Sequence, residues 1–371
     1  MASVHFRPCP HCQLPHEVGL KACPMTGGAL FDTETTRRAV VDDVGLVGSL
    51  LDDKYEVLEE LGRGSMGRVY RGRHAKIGRD VALKVLLGDL AKSARVRDRF
   101  VREAQATGRV DHPNVVQIWD VGVTADGLPY MVMELLRGEP LSQRLDRERR
   151  LPLADALIVA RQVLAGLAAA HAADVVHRDV KPENIVLVRR DRVKLVDFGV
   201  ARVLGAETPA ITQRGDLIGT PGYFAPEQGS GREIDHRTDA WAATVVLYEM
   251  VVGELPFLGG SVVEQLAAIV NAEPLWPSEV RPYLPASLDR VIQAGLEKDP
   301  DRRADVQALL TMVKDLELEL EGVNLRDTAD ELPAAAGPAP ERGERSKELS
   351  DTIEDDGQSV LDTIDEAEGS A

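Results

Sequence analysis

The chain has 371 residues, 44% apolar and 28% charged, enough for two ordinary domains or one large one with extensions around a sizeable core. Its 44 Lys and Arg face 61 Asp and Glu, a formal charge of −17, which argues against a general nucleic-acid binder with a basic face. The excess is local: residues 323–371 hold 14 acids and 4 bases, a net −10, leaving −7 for everything before them.

The first residues, Met1 to Pro8, lack the apolar run of a signal peptide. The longest apolar stretch, around Trp241 to Val252, is too short to span a bilayer and is broken by Glu249. The expectation is a soluble, cytoplasmic protein with no membrane partner. Cys9, Cys12 and Cys23 are the three cysteines, an odd and clustered set that makes no disulfide framework. Cys9-Pro-His-Cys12 puts two thiolates where both reach one tetrahedral metal. With Cys23-Pro-Met-Thr-Gly27 it resembles part of a zinc ribbon, but Thr26 stands where a fourth cysteine belongs, so His11 or His16 has to complete the site. Three readings stay open: Zn²⁺ on Cys9, Cys12 and Cys23, a metal-free degenerate knuckle, or redox-active thiols.

Composition divides the chain into a Cys-rich knuckle (1–31), a polar linker (32–53), a body (54–320) and an acidic, disordered tail (321–371). In the body, Tyr55–Glu60, Val69–Gly72 and Val81–Leu87 read as strands, then Val101–Val110 as a helix. Val115–Trp119 and Tyr130–Leu135 read as further strands. Helical spacing then dominates at Ala154–Ala173, Thr238–Val252, Ser261–Val270, Leu288–Leu296 and Val306–Leu320. Strands first and helices after predict an α+β chain of two lobes rather than alternating βαβ units.

Three segments carry chemistry. Leu61-Gly-Arg-Gly-Ser-Met-Gly-Arg-Val69 sets Gly62, Gly64 and Gly67 in a frame where bare backbone amides approach phosphate oxygens. A strand follows it, not the helix that a dinucleotide fingerprint requires. Lys84 lies in the apolar run Val81-Ala82-Leu83-Lys84, and Glu103 on the next helix is a carboxylate able to position it. His177-Arg-Asp-Val-Lys-Pro-Glu-Asn184 gathers Asp179, Lys181 and Asn184 in one loop, and Asp197-Phe-Gly199 follows after a strand. Phosphoryl transfer needs a carboxylate to orient a hydroxyl, oxygen ligands for Mg²⁺ and positive charge near the moving group; these residues supply all three.

Together these motifs resemble the eukaryotic-type serine/threonine protein kinases of bacteria, over about residues 55–318. The resemblance implies the bilobal kinase fold, ATP and Mg²⁺ as cofactors, and proteins as substrates. It makes Asp179 the catalytic base and Lys181 the stabiliser of the transferring group, with Asn184 and Asp197 on Mg²⁺. Lys84, paired with Glu103, contacts the α- and β-phosphates. Leu61, Gly62, Gly64, Gly67, Val69 and Ala82 border the nucleotide, Met133 is the gatekeeper, and Glu134 to Leu136 form the adenine hinge. Gly219 to Glu227 resembles the peptide-seating segment, with Thr220 as a substrate contact and Arg303 as partner of Glu227. Asp239 resembles the buried aspartate that braces the catalytic loop. Thr244 stands where glycine is commoner, and Thr107 replaces an apolar residue one turn after Glu103, a change expected to loosen that helix. A pseudokinase or scaffold is the alternative, and the intact Lys84, Asp179, Asn184 and Asp197 weigh against it.

Arg178, next to the catalytic aspartate, calls for an anion, and Thr208 and Thr212 are the phosphorylation sites expected to supply it. In the tail, Asp-Thr pairs at Thr328, Thr352 and Thr363 each have an acid three residues on, a pattern that suits forkhead-associated domains as partners. Thr352 and Thr363 are the best candidates and Thr328, nearer the fold, is weaker; Thr35 and Thr36 of the linker are candidates of the same kind.

Overall fold

The computed structural model describes residues 6–8, 15–17, 45–64, 67–124, 126–189, 192–198, 221–230 and 234–321. Cys9, Cys12, Cys23, Thr208, Thr212, Thr220 and the tail threonines lie outside the described residues. A short antiparallel pair, β1 (Phe6–Pro8) and β2 (Pro15–Glu17), flanks the segment that holds Cys9 and Cys12. The rest forms two compact units, residues up to 111 with 116–137, and residues 112–115 with 138 onward.

The first unit is a six-stranded antiparallel sheet in the order β3-β4-β5-β6-β8-β7. Its strands are β3 (Leu50–Leu51), β4 (Tyr55–Gly64), β5 (Gly67–His74), β6 (Asp80–Leu86), β7 (Ile118–Val123) and β8 (Pro129–Met133). β6 and β8 run through the middle as almost unbroken apolar segments, whereas β4 starts with alternating burial. Tyr55, Val57, Tyr70, Leu83, Val85, Tyr130 and Val132 form the core. The end of the stretch read as a polar linker belongs to this core too. Leu51 is buried and pairs with Tyr55, and Leu46 and Val47 pack against the same cluster. Asp52 accepts a hydrogen bond from the Tyr130 hydroxyl at 2.5 Å, which ties the segment to β8.

Two helices accompany the sheet, α1 (Gly88–Lys92) and α2 (Ala94–Thr107). α2 starts seven residues before the spacing predicts and stops at Gly108. Its cap is Ser93, whose side chain accepts from the Val96 N–H, and its first turns are polar, so apolar periodicity does not reveal them. Thr107 is buried as the last residue of this helix. The strand expected at Val115–Trp119 also shifts, to Ile118–Val123. Val115 instead bridges to Leu195 and belongs to the second unit.

That second unit is mostly helical: α3 (Leu141–Glu148), α4 (Leu153–His171), α5 (Pro226–Ser230), α6 (Arg237–Val252), α7 (Val262–Asn271), α8 (Pro277–Val280), α9 (Ala286–Gly295) and α10 (Val306–Leu320). A small sheet in the order β11-β10-β9 joins β9 (Glu139–Pro140), β10 (Ile185–Arg189) and β11 (Arg192–Leu195). α4 is 19 residues long and apolar enough, by length and composition alone, to cross a membrane. In this fold it is a core helix, packed by α6, α10 and β11. α6 is buried almost all round, which explains its apolar run. The departure at Thr244 has a local answer. Its hydroxyl donates to the Ala240 carbonyl at 2.8 Å, and a Cβ at Gly295 on α9 would lie 1.9 Å from Thr244 Oγ1. The extra bulk on α6 is matched by a bare glycine opposite it.

Candidate active site

In the first unit the glycine-rich turn joins β4 to β5, with Gly62 opposite Val69 and Gly64 opposite Gly67. The three glycines are bare for different reasons. A Cβ on Gly67 would lie 2.0 Å from the Val85 carbonyl oxygen, so close packing on β6 demands glycine there. Among the described residues, a Cβ on Gly62 would meet nothing within 4 Å, and one on Gly64 only a backbone oxygen at 3.8 Å. Internal packing does not demand those two, which leaves approach by a ligand as the reason sequence logic assigned them. Leu61 is exposed at this turn, while Ala82 is buried on β6 opposite Met133. Lys84 is buried on β6, in register with Val69 on one side and Met131 on the other. α2, which packs against β7 and β8, carries Glu103 half-buried. After buried Met133, Glu134 is clamped twice to Gln117: its N–H donates to the carbonyl at 3.0 Å, and its carboxylate accepts the Gln117 N–H at 2.8 Å. Leu136 follows, half-buried.

In the second unit the organising group is Asp239, fully buried near the start of α6. Its carboxylate accepts the N–H groups of His177 at 2.8 Å and Arg178 at 2.7 Å, and a third contact comes from His171 Nε2 at 2.7 Å. A buried carboxylate so bonded fixes the loop backbone that follows. His177 is itself fully buried, and burial holds its imidazole below the ordinary value against the pull of Asp239, Asp179 and Asp197. Its bonds suit the neutral ring: Nε2–H donates to the Val196 carbonyl at 3.0 Å, and Nδ1 accepts the Asp179 N–H at 3.3 Å. The ring of Phe198 lies 4.3 Å from that of His177.

Asp179, Lys181 and Asn184 converge as the motif implies. Asp179 Oδ2 accepts from Lys181 Nζ and from Asn184 Nδ2, each at 2.9 Å, and Asn184 Nδ2 also donates to the Asp179 carbonyl at 2.8 Å. That spends the amide nitrogen of Asn184 and turns its oxygen to other use. Val196 N–H donates to the Asn184 carbonyl at 3.0 Å, so Asp197 emerges beside the same turn. Arg178 at φ 67° and Asp197 at φ 63° both hold the left-handed region, a strained conformation for such side chains. Strain of this kind collects where geometry serves chemistry. Asn184 oxygen and the Asp197 carboxylate are hard oxygen donors, a set that fits Mg²⁺.

A cleft beside Asp179 is lined by Arg178, Val180, Tyr223, Phe224 and Gln228. Tyr223 donates to Glu249 at 2.7 Å, and burial pushes that carboxyl up from its ordinary value. Below it, Arg303 and Glu227 form a bidentate pair at 2.6 and 2.9 Å, both buried. The sequence named neither His171 nor Glu249 as part of this scaffold. His171 ends an apolar helix six residues before His177, and only its contact with Asp239 reveals it.

The description "protein kinase domain" matches residues 55–313, and the chain belongs to that family. The serine/threonine-protein kinase Pkn3 of Myxococcus xanthus is 39% identical over 271 residues, which cover 71% of this chain and 50% of the relative. The serine/threonine-protein kinase PknB of Mycobacterium tuberculosis is 38% identical over 263 residues, 70% of this chain and 42% of the relative. The chain therefore spans about half, or less, of the length of these curated relatives. The crystal structure of the Mycobacterium tuberculosis PknI kinase domain is similar with a TM-score of 0.58 and 28% identity, covering 72% of this chain and 98% of that one. The fold is the strand-rich and helical two-lobed fold of that family.

Proposed function

We propose that this chain is an ATP- and Mg²⁺-dependent protein serine/threonine kinase. The observation that carries the reading is the convergence of Lys181 and Asn184 on the carboxylate of Asp179, in a loop held by buried Asp239. Asp179 orients the hydroxyl of a substrate Ser or Thr and takes its proton. That oxygen bonds to the γ-phosphorus of ATP as the bond to the β,γ-bridging oxygen breaks and ADP leaves. Lys181 faces the charge that develops on the transferring group, and Lys84 holds the α- and β-phosphates. Asn184 and Asp197 would hold Mg²⁺, whose charge would offset that of the phosphates. Gly62, Gly64 and Gly67 offer backbone amides to the phosphates, and Met133, Glu134 and Leu136 border the adenine. Protein substrates include the chain itself, at Thr208 and Thr212, with Thr352 and Thr363 as sites for forkhead-associated readers. Zn²⁺ on Cys9, Cys12 and Cys23 is the proposed role of the N-terminal knuckle.

Purified chain with Mg²⁺ and labelled ATP is expected to incorporate phosphate on Ser or Thr. Asp179→Asn is expected to lower the rate by about a thousandfold at unchanged thermal stability. Near-normal labelling by that variant would remove Asp179 from the mechanism.

A further inference from the structure

Lys298, three residues past the end of α9, stands in surroundings unlike those of a surface lysine. Its Nζ donates at 2.7 Å to the carbonyl of Ile269, one of the last four of α7, which lie beyond the reach of the helix's own bonds. The same Nζ lies 3.8 Å from the ring centre of Phe257 and 5.2 Å from that of Trp241, two rings stacked 5.6 Å apart. Phe257 and Trp241 are buried, and Lys298 is half-buried. The charges that face it are Glu273, two residues past α7, and Arg303, which shares the Trp241 ring at 5.0 Å. Among the described residues no carboxylate hydrogen-bonds to it. Ring faces and the negative end of a helix both favour an ammonium. Burial outweighs them and lowers Lys298 to about 8, with Glu273 opposing the shift and Arg303 adding to it. Phosphoryl transfer makes no use of this amine.

We propose that Lys298 is an acylation site, taking a short acyl group from an activated donor, an acyl phosphate or an acyl thioester. The lone pair of the free amine attacks the acyl carbonyl carbon. The bond from that carbon to the phosphate oxygen or thiolate sulfur breaks, and the departing group takes up the proton that the nitrogen sheds. At pH 7.5 an amine at about 8 is free on the order of 200 times more often than one at the ordinary 10.5. A less basic amine is also a weaker nucleophile, so a net advantage of about tenfold remains. The surroundings fit the product as well. An acyl amide keeps one N–H, so the Ile269 carbonyl keeps its donor, and the charge that burial opposes is gone. A short uncharged acyl chain suits neighbours that are aromatic. α7 packs against Pro221–Tyr223 and α5, so the modification falls one helix away from the segment that resembles a peptide seat.

The test reads acetyl on Lys298 by mass spectrometry of the full chain, which needs no catalytic activity and so stands apart from the kinase reading. Acetyl phosphate is the donor in one arm and acetyl-coenzyme A in the other, with an unstructured peptide carrying a single lysine in the same tube as reference. At about pH 7.5, Lys298 is expected to be acetylated about tenfold faster than the reference by at least one donor, and the faster arm identifies the source. Its rate is expected to level off above about pH 8, while that of the reference keeps rising about tenfold per pH unit to about pH 9. Glu273→Gln, at an exposed residue, removes the charge that helps hold the proton and is expected to speed Lys298 about twofold. Labelling no faster than the reference with both donors, a rate that climbs with pH in parallel with it, or no gain from Glu273→Gln would each overturn the site and leave Lys298 a cap of α7 alone. A thermal melt of the Glu273→Gln chain separates a change at the amine from a change in the fold.

Discussion

Arg303 shows what one side chain is asked to do. Its Nε donates to the Glu297 carbonyl at 2.9 Å, and its two terminal nitrogens reach Glu227, the Arg237 carbonyl and the Lys298 carbonyl. All five guanidinium N–H groups are thereby spent in a site shielded from water, with the indole of Trp241 5.0 Å away. A planar fork can do this and an ammonium cannot. Arg303→Lys is therefore expected to destabilise the chain by about 3–5 kcal/mol, because Glu227 loses its bidentate partner and several buried carbonyls lose a donor. Urea unfolding would measure it. A loss below about 1 kcal/mol would mean that the pair is solvated or redundant.

Elements tell a different story about how much a sequence discloses. Residues 45–53 look polar because Asp52 and Asp53 dominate the eye, yet Leu51 is 3% exposed in β3. Leu51→Ala is expected to cost about 2–5 kcal/mol in urea unfolding of the full chain. If the segment were only a tether, the change would stay within about 0.5 kcal/mol. The catalytic loop was legible, since Asp179, Lys181 and Asn184 are close in sequence and their chemistry is written in residue type. Long apolar helices such as α10 were legible too, because burial leaves a period of 3.6. Less was visible where local and tertiary demands separate. The first turns of α2 bury little, so nothing apolar marks them, and Val115 and Ile118 serve different units although they stand three residues apart. The brace by His171 and the match of Thr244 to Gly295 are contacts across helices, which no spacing along the chain encodes.

Across the whole molecule, buried His177 and half-buried Glu249 pull its acid stability in opposite directions. His177 has its imidazole held below the ordinary 6.5 by burial. The unfolded chain therefore takes up a proton below pH 6.5 that the folded chain refuses, so this contribution to stability fades as pH falls through that window. Glu249 is raised above the ordinary 4.5, again by burial, with the nearby Glu183 and Asp146 charges adding to the effect. A raised carboxyl favours the folded state below pH 4.5 and loses that advantage as pH rises through its folded value. Acidification thus costs stability at His177 while regaining it at Glu249. His177→Gln keeps a donor for the Val196 carbonyl and removes one titration, so the fall in unfolding free energy below pH 6.5 should become shallower, by at most about 1.4 kcal/mol per pH unit. Glu249→Gln keeps an acceptor for the Tyr223 hydroxyl and removes the opposing titration, so the same fall should become steeper. Urea midpoints between pH 4.5 and 7.5 give both slopes. If the two variants shifted the slope in the same direction, burial would not be what sets the protonation of these groups.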